Sequence, residues 1–346
     1  MMRQPKSPVD QTHLSRLRTA AGAGPVLILT HDNPDPDALA SGKALAALLQ
    51  QAWGIPSRLL YSGLVAWAEN RVMLNQLTPE WEHADTLPAL DQYSALAMVD
   101  TQPTAGNNRL PPIHTPHIVL DHHNPLRHAL RSVPYVDVRP DIGATVTLVY
   151  QYLDAAGIEP DPLLATAMFY GLKVDTRGLS RGASSTDEAA YVKLLRWVDR
   201  RKLVQVEQAR LPRVYFGAFC QGLKAARLYG RALVAYLGPI HRPDLPAEIA
   251  DLLIRLEDAR AALCMGIYQD VLQLSLRTVP LGQDAGLLIQ EIVTPPGNAG
   301  GHGTMAGGQV PLAGQDAESI ATGIEDRYLA AMDETGEGED LLVQRR

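Results

Sequence analysis

The 346-residue chain reads as an α/β protein, with a doubly wound, mainly parallel sheet in its N-terminal domain and a smaller C-terminal α/β domain across a cleft. Three observations predict this. Short apolar runs, too brief for helices, recur in the first half with helix-like stretches between several of them. Acidic and histidine-rich segments follow those runs. After about residue 205 the texture changes to strand pairs interleaved with amphipathic helices.

Taken in order, Val26–Leu29, Arg58–Tyr61, Ala95–Val99, Ile118–Leu120 and Tyr135–Val138 predict strands buried on both faces. An Ala/Leu-rich helix follows the first of them, with Asp37 as its expected N-cap. Helices are expected near Gly143–Ala156 and Pro162–Tyr170. The stretch "DEAAYVKLLRWVDRRKLVQVEQ", from Asp187, predicts long, charged helices that close the domain and lead into a connector. Beyond it, "RALVAYLGPI" reads as a strand, "PAEIADLLIRLEDA" as a helix, and "AALCMGIY" with "VLQLSLRTV" as a hairpin. A helix "DAGLLIQEIV" leads into a Gly-rich loop at 297–308, and a last helix is expected near Asp316–Met332. The expected domains are therefore 1–205, a helical connector 206–228, and 229–346.

Composition narrows the function. A net charge of −7 argues against a broad basic face for long nucleic acid, but leaves room for a short anionic ligand at a local site. Two cysteines, Cys220 and Cys264, are too few and too separated for a disulfide framework or a thiolate zinc site. With no apolar targeting segment near the N-terminus and no run of membrane-spanning length, the expectation is a soluble, cytoplasmic protein with no membrane partner. Trp53, Trp67, Trp81 and Trp197 read as packing residues.

The chemistry concentrates at the ends of strands. "HDNPDPDALASG" at 31–42 is by itself compatible with plain turn chemistry. However, "ALAMVD" ends on Asp100, "HIVLDHH" on Asp121, His122 and His123, and "FYGLKVDT" delivers Asp175 after a helix-like run. In a parallel sheet the carboxyl ends of strands open on one edge, so His31, Asp35, Asp37, Asp100, His122 and Asp175 are expected to converge. Crowded carboxylates raise one another's pKa, and divalent cations are the simplest compensation. Two ions held close together form a template for displacement at phosphorus. Oxygen and imidazole donors without thiolate favour Mn²⁺, with Mg²⁺, Co²⁺ or Zn²⁺ compatible.

These motifs resemble those of the DHH phosphoesterases: "HDNPDPDA", "MVDTQP", the literal "DHH" at 121–123, and "GLKVDT", in that order. The resemblance implies one ion held by His31, Asp35 and Asp100, and a second held by Asp37, Asp100, His122 and Asp175, with Asp100 shared. It places Asp121 behind the ions, orienting an imidazole, and His123 against the substrate phosphate. "GNAGGHGTMAGG" resembles the Gly-Gly-His segment of the DHH-associated C-terminal domain in NrnA-type and RecJ-like members, which implies substrate contacts from Gly300, Gly301, His302, Ser275 and Arg277. The chain departs from the pattern at "DTRGLSRGASSTD", where Arg177 stands in place of a glycine; Arg177 and Arg181 either touch phosphate or pair with surface carboxylates.

The resemblance implies a metal-dependent hydrolase for short oligonucleotides or linear dinucleotides such as pApA and pGpG, with 3′-phosphoadenosine 5′-phosphate as a further substrate. A cyclic-di-AMP phosphodiesterase, a single-strand-specific exonuclease and a polyphosphatase stand as alternatives on the same core. A nucleotide-binding regulator is the alternative without catalysis. A homodimer is compatible with all of these readings.

Overall fold

The computed structural model describes residues 8–342 other than residue 66. The chain divides between Arg210 and Leu211 into two compact units, at a point inside the stretch read as a connector.

In the first unit the order is α1 (Gln11–Ala21), β1 (Val26–Leu29), α2 (Pro36–Trp53), β2 (Ser57–Tyr61), α3 (Ala68–Gln76), β3 (Trp81–His83), β4 (Ala95–Val99), β5 (Ile118–Asp121) and β6 (Tyr135–Val138). It ends with α4 (Thr145–Ala155), α5 (Pro162–Asp175), α6 (Ser185–Leu194) and α7 (Arg200–Glu207). The strands form one six-stranded parallel sheet in the order β3-β2-β1-β4-β5-β6. The direction of winding reverses between β1 and β4, and a crevice opens beyond the carboxyl ends of strands at such a reversal.

Alternation along the strands sends Val26, Ile28, Ala97, Val99, Ile118 and Leu120 into a core shared with α2, α4 and α5. The intervening residues Leu27, Leu29, Leu96, Met98 and Val119 pack on the other face, which is covered by connecting segments carrying Leu87, Leu90, Leu110 and Val133. Burial on both faces explains why these strands read as continuous apolar runs.

One local expectation is corrected. Helix α2 begins at Pro36 and its N-cap is Asp35, not Asp37, because Asp35 Oδ1 accepts from the Ala38 N–H at 3.0 Å. Proline suits a first helical position, where no intrahelical N–H is needed. The charged stretch from Asp187 supplies the unit's last helices, as expected. It breaks between α6 and α7, where the Asp199 carboxylate accepts from the Arg201 and Lys202 amides and its own N–H donates to Thr166 Oγ1 at 2.8 Å.

One glycine lets two helices meet. A Cβ on Gly171 of α5 would stand 2.9 Å from the carbonyl oxygen of Pro36 and 3.2 Å from the Cα of Asp37. Its absence brings the last turn of α5, with Asp175, up to the first turn of α2.

The second unit runs α8 (Arg213–Ala225), β7 (Ala226–Tyr229), β8 (Ala232–Pro239), α9 (Leu245–Leu253), β9 (Ala261–Tyr268), β10 (Val271–Thr278), α10 (Ala285–Ile292), β11 (Asn298–His302), β12 (Met305–Pro311), α11 (Ala317–Ala331) and β13 (Glu339–Asp340). Its seven-stranded sheet has the order β11-β12-β10-β9-β8-β7-β13, antiparallel except between β8 and β9. Helices α10 and α11 cover one face with Leu288, Ile289, Ile324 and Tyr328. Helices α8 and α9 cover the other with Ala218, Ile249 and Leu253.

The expected Gly-rich loop at 297–308 is instead the hairpin β11–β12, paired from Asn298↔Gln309 to His302↔Met305. Glycine is needed at Gly301 because a Cβ there would stand 2.4 Å from the Met305 carbonyl oxygen and the Ala306 Cα of β12, and at Gly286 of α10 because a Cβ there would collide with the carbonyl of Gly301. Among the described residues no helix is long and apolar enough to cross a membrane.

Candidate metal centre

The crevice at the β1/β4 switch collects the residues that the motifs singled out. His31 follows β1, Asp35 and Asp37 begin α2, Asp100 follows β4, His122 and His123 follow β5, and Asp175 ends α5. His31 Nε2 lies 3.5 Å from Asp100 Oδ2 and 4.0 Å from Asp35 Oδ1. His122 Nε2 lies 3.3 Å from Asp175 Oδ2, 3.6 Å from Asp100 Oδ1 and 3.9 Å from Asp37 Oδ2. Asp100 thus faces both imidazoles, one with each oxygen.

Both imidazoles are held by their far nitrogens. His31 Nδ1 stands 2.9 Å from the carbonyl oxygen of Asp32, and His122 Nδ1 stands 3.3 Å from that of Ile142. A carbonyl only accepts, so each Nδ1 carries a hydrogen, which leaves Nε2, on the side of the carboxylates, as the nitrogen that can bind an ion. This is the arrangement that metal-ligating histidines adopt.

The carboxylates are fixed with equal care. Asp37, 1% exposed, accepts from the Thr145 N–H at 2.6 Å and the Val146 N–H at 2.7 Å, at the N-terminus of α4. Asp100 leaves β4 in the left-handed region, φ 59°, and accepts the Thr145 hydroxyl on Oδ1 at 2.7 Å. Arg181 donates from Nε and Nη2 to the backbone carbonyl of Asp175, with Nη2 also 3.4 Å from the Asp175 carboxylate. The side chain of Arg181 therefore closes the end of α5.

The electrostatics follow from burial and crowding. Burial, then the charges of Asp100, Asp175 and Asp35, hold the Asp37 carboxyl well above the usual range. Burial and the Asp35 charge push Asp175 up to about 6. For His31, burial opposes the charged ring, but the hydrogen bond to Asp100 and the charges of Asp35 and Asp100 outweigh it and push the pKa up to about 9. Asp100 is driven low: burial raises it, but His31, His123 and His122 together lower it further.

A cation fits this donor set. Octahedral bonds of about 2.1 Å put neighbouring ligand atoms about 3 Å apart and opposite ones about 4 Å apart. The nitrogen to oxygen separations of 3.3–4.0 Å fall in that range. Two groups with ligand atoms close enough for one ion are His31, Asp35, Asp100 and Asp37, His122, Asp175; Asp100, His122 and His123 form a third.

His123 differs from its neighbour. Its Nδ1 lies 2.8 Å from Asp121 Oδ1 and 3.6 Å from Asp100 Oδ1, and its side chain is 46% exposed. Burial opposes its charge, yet the Asp121 bond and the charges of Asp100 and Asp121 push its pKa up to about 10. Asp121 itself is fully buried; its Oδ1 meets the ring of His123 and its Oδ2 accepts from Gln102 Nε2 at 2.6 Å.

Residues 25–172, which carry all of these side chains except Asp175 and Arg181, match the DHH family N-terminal domain. This part of the chain is a DHH-family N-terminal domain. An uncharacterized protein of Methanocaldococcus jannaschii is 34% identical over 313 residues, covering 88% of this chain and 63% of the relative. Bifunctional oligoribonuclease and PAP phosphatase NrnA of Thermus thermophilus is 30% identical over 177 residues, covering 49% of this chain and 48% of that protein. The chain thus spans less than two thirds of the length of either curated relative. The solved structure of an exopolyphosphatase-related protein from Bacteroides fragilis has the same fold, with a TM-score of 0.72 at 14% identity over 93% of this chain and 97% of that one.

In the second unit, Ser275, Arg277, Gly300 and Gly301 line one cavity of about 350 Å³ together with Pro243 and Pro246. The His302 side chain lies outside the described residues. Arg277 is 8% exposed, and its guanidinium is already engaged. Nε and Nη2 face Asp251 at 2.7 and 3.4 Å, while Nη1 donates to Ser275 Oγ at 2.8 Å and the Leu276 carbonyl at 3.1 Å. A ligand there meets a cation whose orientation is set in advance. Arg177 is exposed on the turn after α5, at φ 48°.

Sequence reasoning missed Thr145 and Gln102. Thr145 lies outside the motifs and Gln102 inside one, and what gives them a role is partners across 45 and 19 residues of chain. The one signal available was Gln102 inside "MVDTQP".

Proposed function

We propose that the chain is a divalent-cation-dependent phosphoesterase that hydrolyses short oligonucleotides or linear dinucleotides to mononucleotides, with 3′-phosphoadenosine 5′-phosphate as a further substrate. The observation that carries this is the pair of Nδ1-anchored imidazoles whose Nε2 atoms face four carboxylates. His31, Asp35 and Asp100 would hold one ion, and Asp37, Asp100, His122 and Asp175 a second. Nitrogen and oxygen donors without thiolate favour Mn²⁺.

When bound, such ions supply a nucleophilic water at neutral pH and positive charge for the phosphoryl oxygens. The chain's own residues do the rest. Asp121 holds His123 Nδ1, and the half-exposed ring is placed to give a hydrogen bond or a proton to the phosphate oxygen that departs. Thr145 keeps Asp37 and Asp100 in fixed orientations. In the second unit, Ser275, Arg277, Gly300 and Gly301 would take an anionic end of the nucleotide. Similarity to the bifunctional oligoribonuclease and PAP phosphatase NrnA supports nucleotide substrates.

The test is hydrolysis of pApA, pGpG, a pentanucleotide RNA and 3′-phosphoadenosine 5′-phosphate with Mn²⁺, beside the Asp100→Ala variant. Mononucleotide release that the variant lacks is the expected result. Equal turnover by Asp100→Ala would sink the assignment. Metal binding without turnover of any of the four would point to cyclic dinucleotides, polyphosphate or a binding role.

A further inference from the structure

We propose that Gln102 is a positioning residue that keeps a proton on His123 Nδ1, so that this ring offers Nε2 to a phosphate substrate instead of adding Nδ1 to the ligands of an ion. Gln102 is 2% exposed and lies two residues beyond Asp100, on the loop leaving β4. Its Nε2 donates to Asp121 Oδ2 at 2.6 Å and to the His123 carbonyl at 3.0 Å. Its Oε1 accepts from the Arg127 N–H at 2.8 Å. Two acceptors on one side and a donor on the other leave only one chemically consistent orientation of the amide.

The consequence passes through Asp121. With Oδ2 satisfied by Gln102, its Oδ1 is aimed at His123 Nδ1 at 2.8 Å, and a carboxylate there requires a hydrogen on the nitrogen. That hydrogen matters because Nδ1 is also 3.6 Å from Asp100 Oδ1, and His123 shares a potential ligand group with Asp100 and His122. A protonated nitrogen has no lone pair for an ion. The second bond, from Gln102 to the His123 carbonyl, and the third, from Arg127, clamp the backbone on which the ring turns. Replacing Gln102 by an apolar residue would take the Gln102 donor from Asp121 Oδ2 in a fully buried position and leave the carboxylate bonded to His123 through Oδ1.

The effect on turnover rests on the phosphoesterase reading, whereas the protonation state does not. The first measurement is therefore made on the wild-type chain loaded with Mg²⁺, by ¹⁵N NMR of labelled histidine rings, with the His123 signals assigned by their loss in His123→Gln. A proton on His123 Nδ1 is expected; a bare Nδ1 would overturn the proposal even if Gln102 variants do not fold. The second is steady-state kinetics of Gln102→Met with the Mn²⁺ form. We expect kcat to fall about 10- to 100-fold, as for other residues that orient a site from behind, with Mn²⁺ stoichiometry unchanged. In a His123→Ala background the same substitution should cost less than about twofold, because the two act through one group. Equal losses in both backgrounds would overturn the positioning role. If the wild type turns over none of the substrates, the functional reading fails, and the ring protonation still decides the role of Gln102.

Discussion

Thr145 donates its hydroxyl hydrogen to Asp100 Oδ1 at 2.7 Å, from the same residue whose backbone N–H donates to Asp37. One residue at the start of α4 thus sets the angle between carboxylates that come from two different strand ends. Thr145→Val keeps the shape and the backbone bond but removes the hydroxyl. Mn²⁺ affinity measured by calorimetry should fall about tenfold, as for other groups that orient metal ligands. An unchanged affinity would mean that Asp100 is held adequately by the loop alone.

The turn after α5 stores strain. Arg177 has φ 48° and Leu179 φ 72°, a region that L-residues adopt at a cost and glycine adopts freely. Arg177→Gly should therefore raise stability by about 0.5–1 kcal/mol, the relieved strain exceeding the added freedom of the unfolded chain. Urea denaturation checks this. A loss of stability would show that the arginine side chain contributes more than the backbone strain removes.

Arg277 is the buried cation of the second-unit cavity, oriented by Asp251 and Ser275. Arg277→Lys keeps a charge but loses the planar fork, so under the proposed function KM should rise about tenfold with kcat little changed. A fall in kcat alone at constant KM would remove Arg277 from substrate binding.

Glu248 supplies a pH dependence that is separate from the metal centre. It is 4% exposed, faces Arg242 at 3.1 Å, and has Asp244 as an acidic neighbour. Burial, with Asp244 adding to it, outweighs Tyr215 and Arg242 and pushes its pKa from 4.5 up to about 7. The folded state then holds a proton that the unfolded chain releases above pH 4.5, so this contribution is full below pH 4.5 and is lost as pH rises through about 7. Wild-type stability relative to Glu248→Gln should decline across that window and level off above it. A flat difference would show that Glu248 is ionised throughout.

The continuous apolar runs and the histidines and acids that follow them were enough to place the parallel sheet and to nominate His31, Asp35, Asp37, Asp100, His122 and Asp175, since strand period and chain order are local properties of the sequence. The start of α2 was misplaced by a local competition: Asp35 and Asp37 are both good caps, and Pro36 at the first helical position decides between them. The Gly-rich segment at 297–308 looked like a loop because glycine lowers strand propensity; the close approach of Met305 and Ala306 on β12 makes glycine the residue that fits at Gly301.

The sequence by itself thus determined which side chains are available for metal chemistry and which strand ends deliver them. Only the tertiary structure decided which nitrogen of each histidine faces the carboxylates, that Asp121 serves His123, and that Thr145 and Gln102 hold the centre from behind. The reason is physical: hydrogen-bond partners far apart in the chain meet only after the β1/β4 switch, the α2–α5 contact at Gly171 and the first turn of α4 have been packed together.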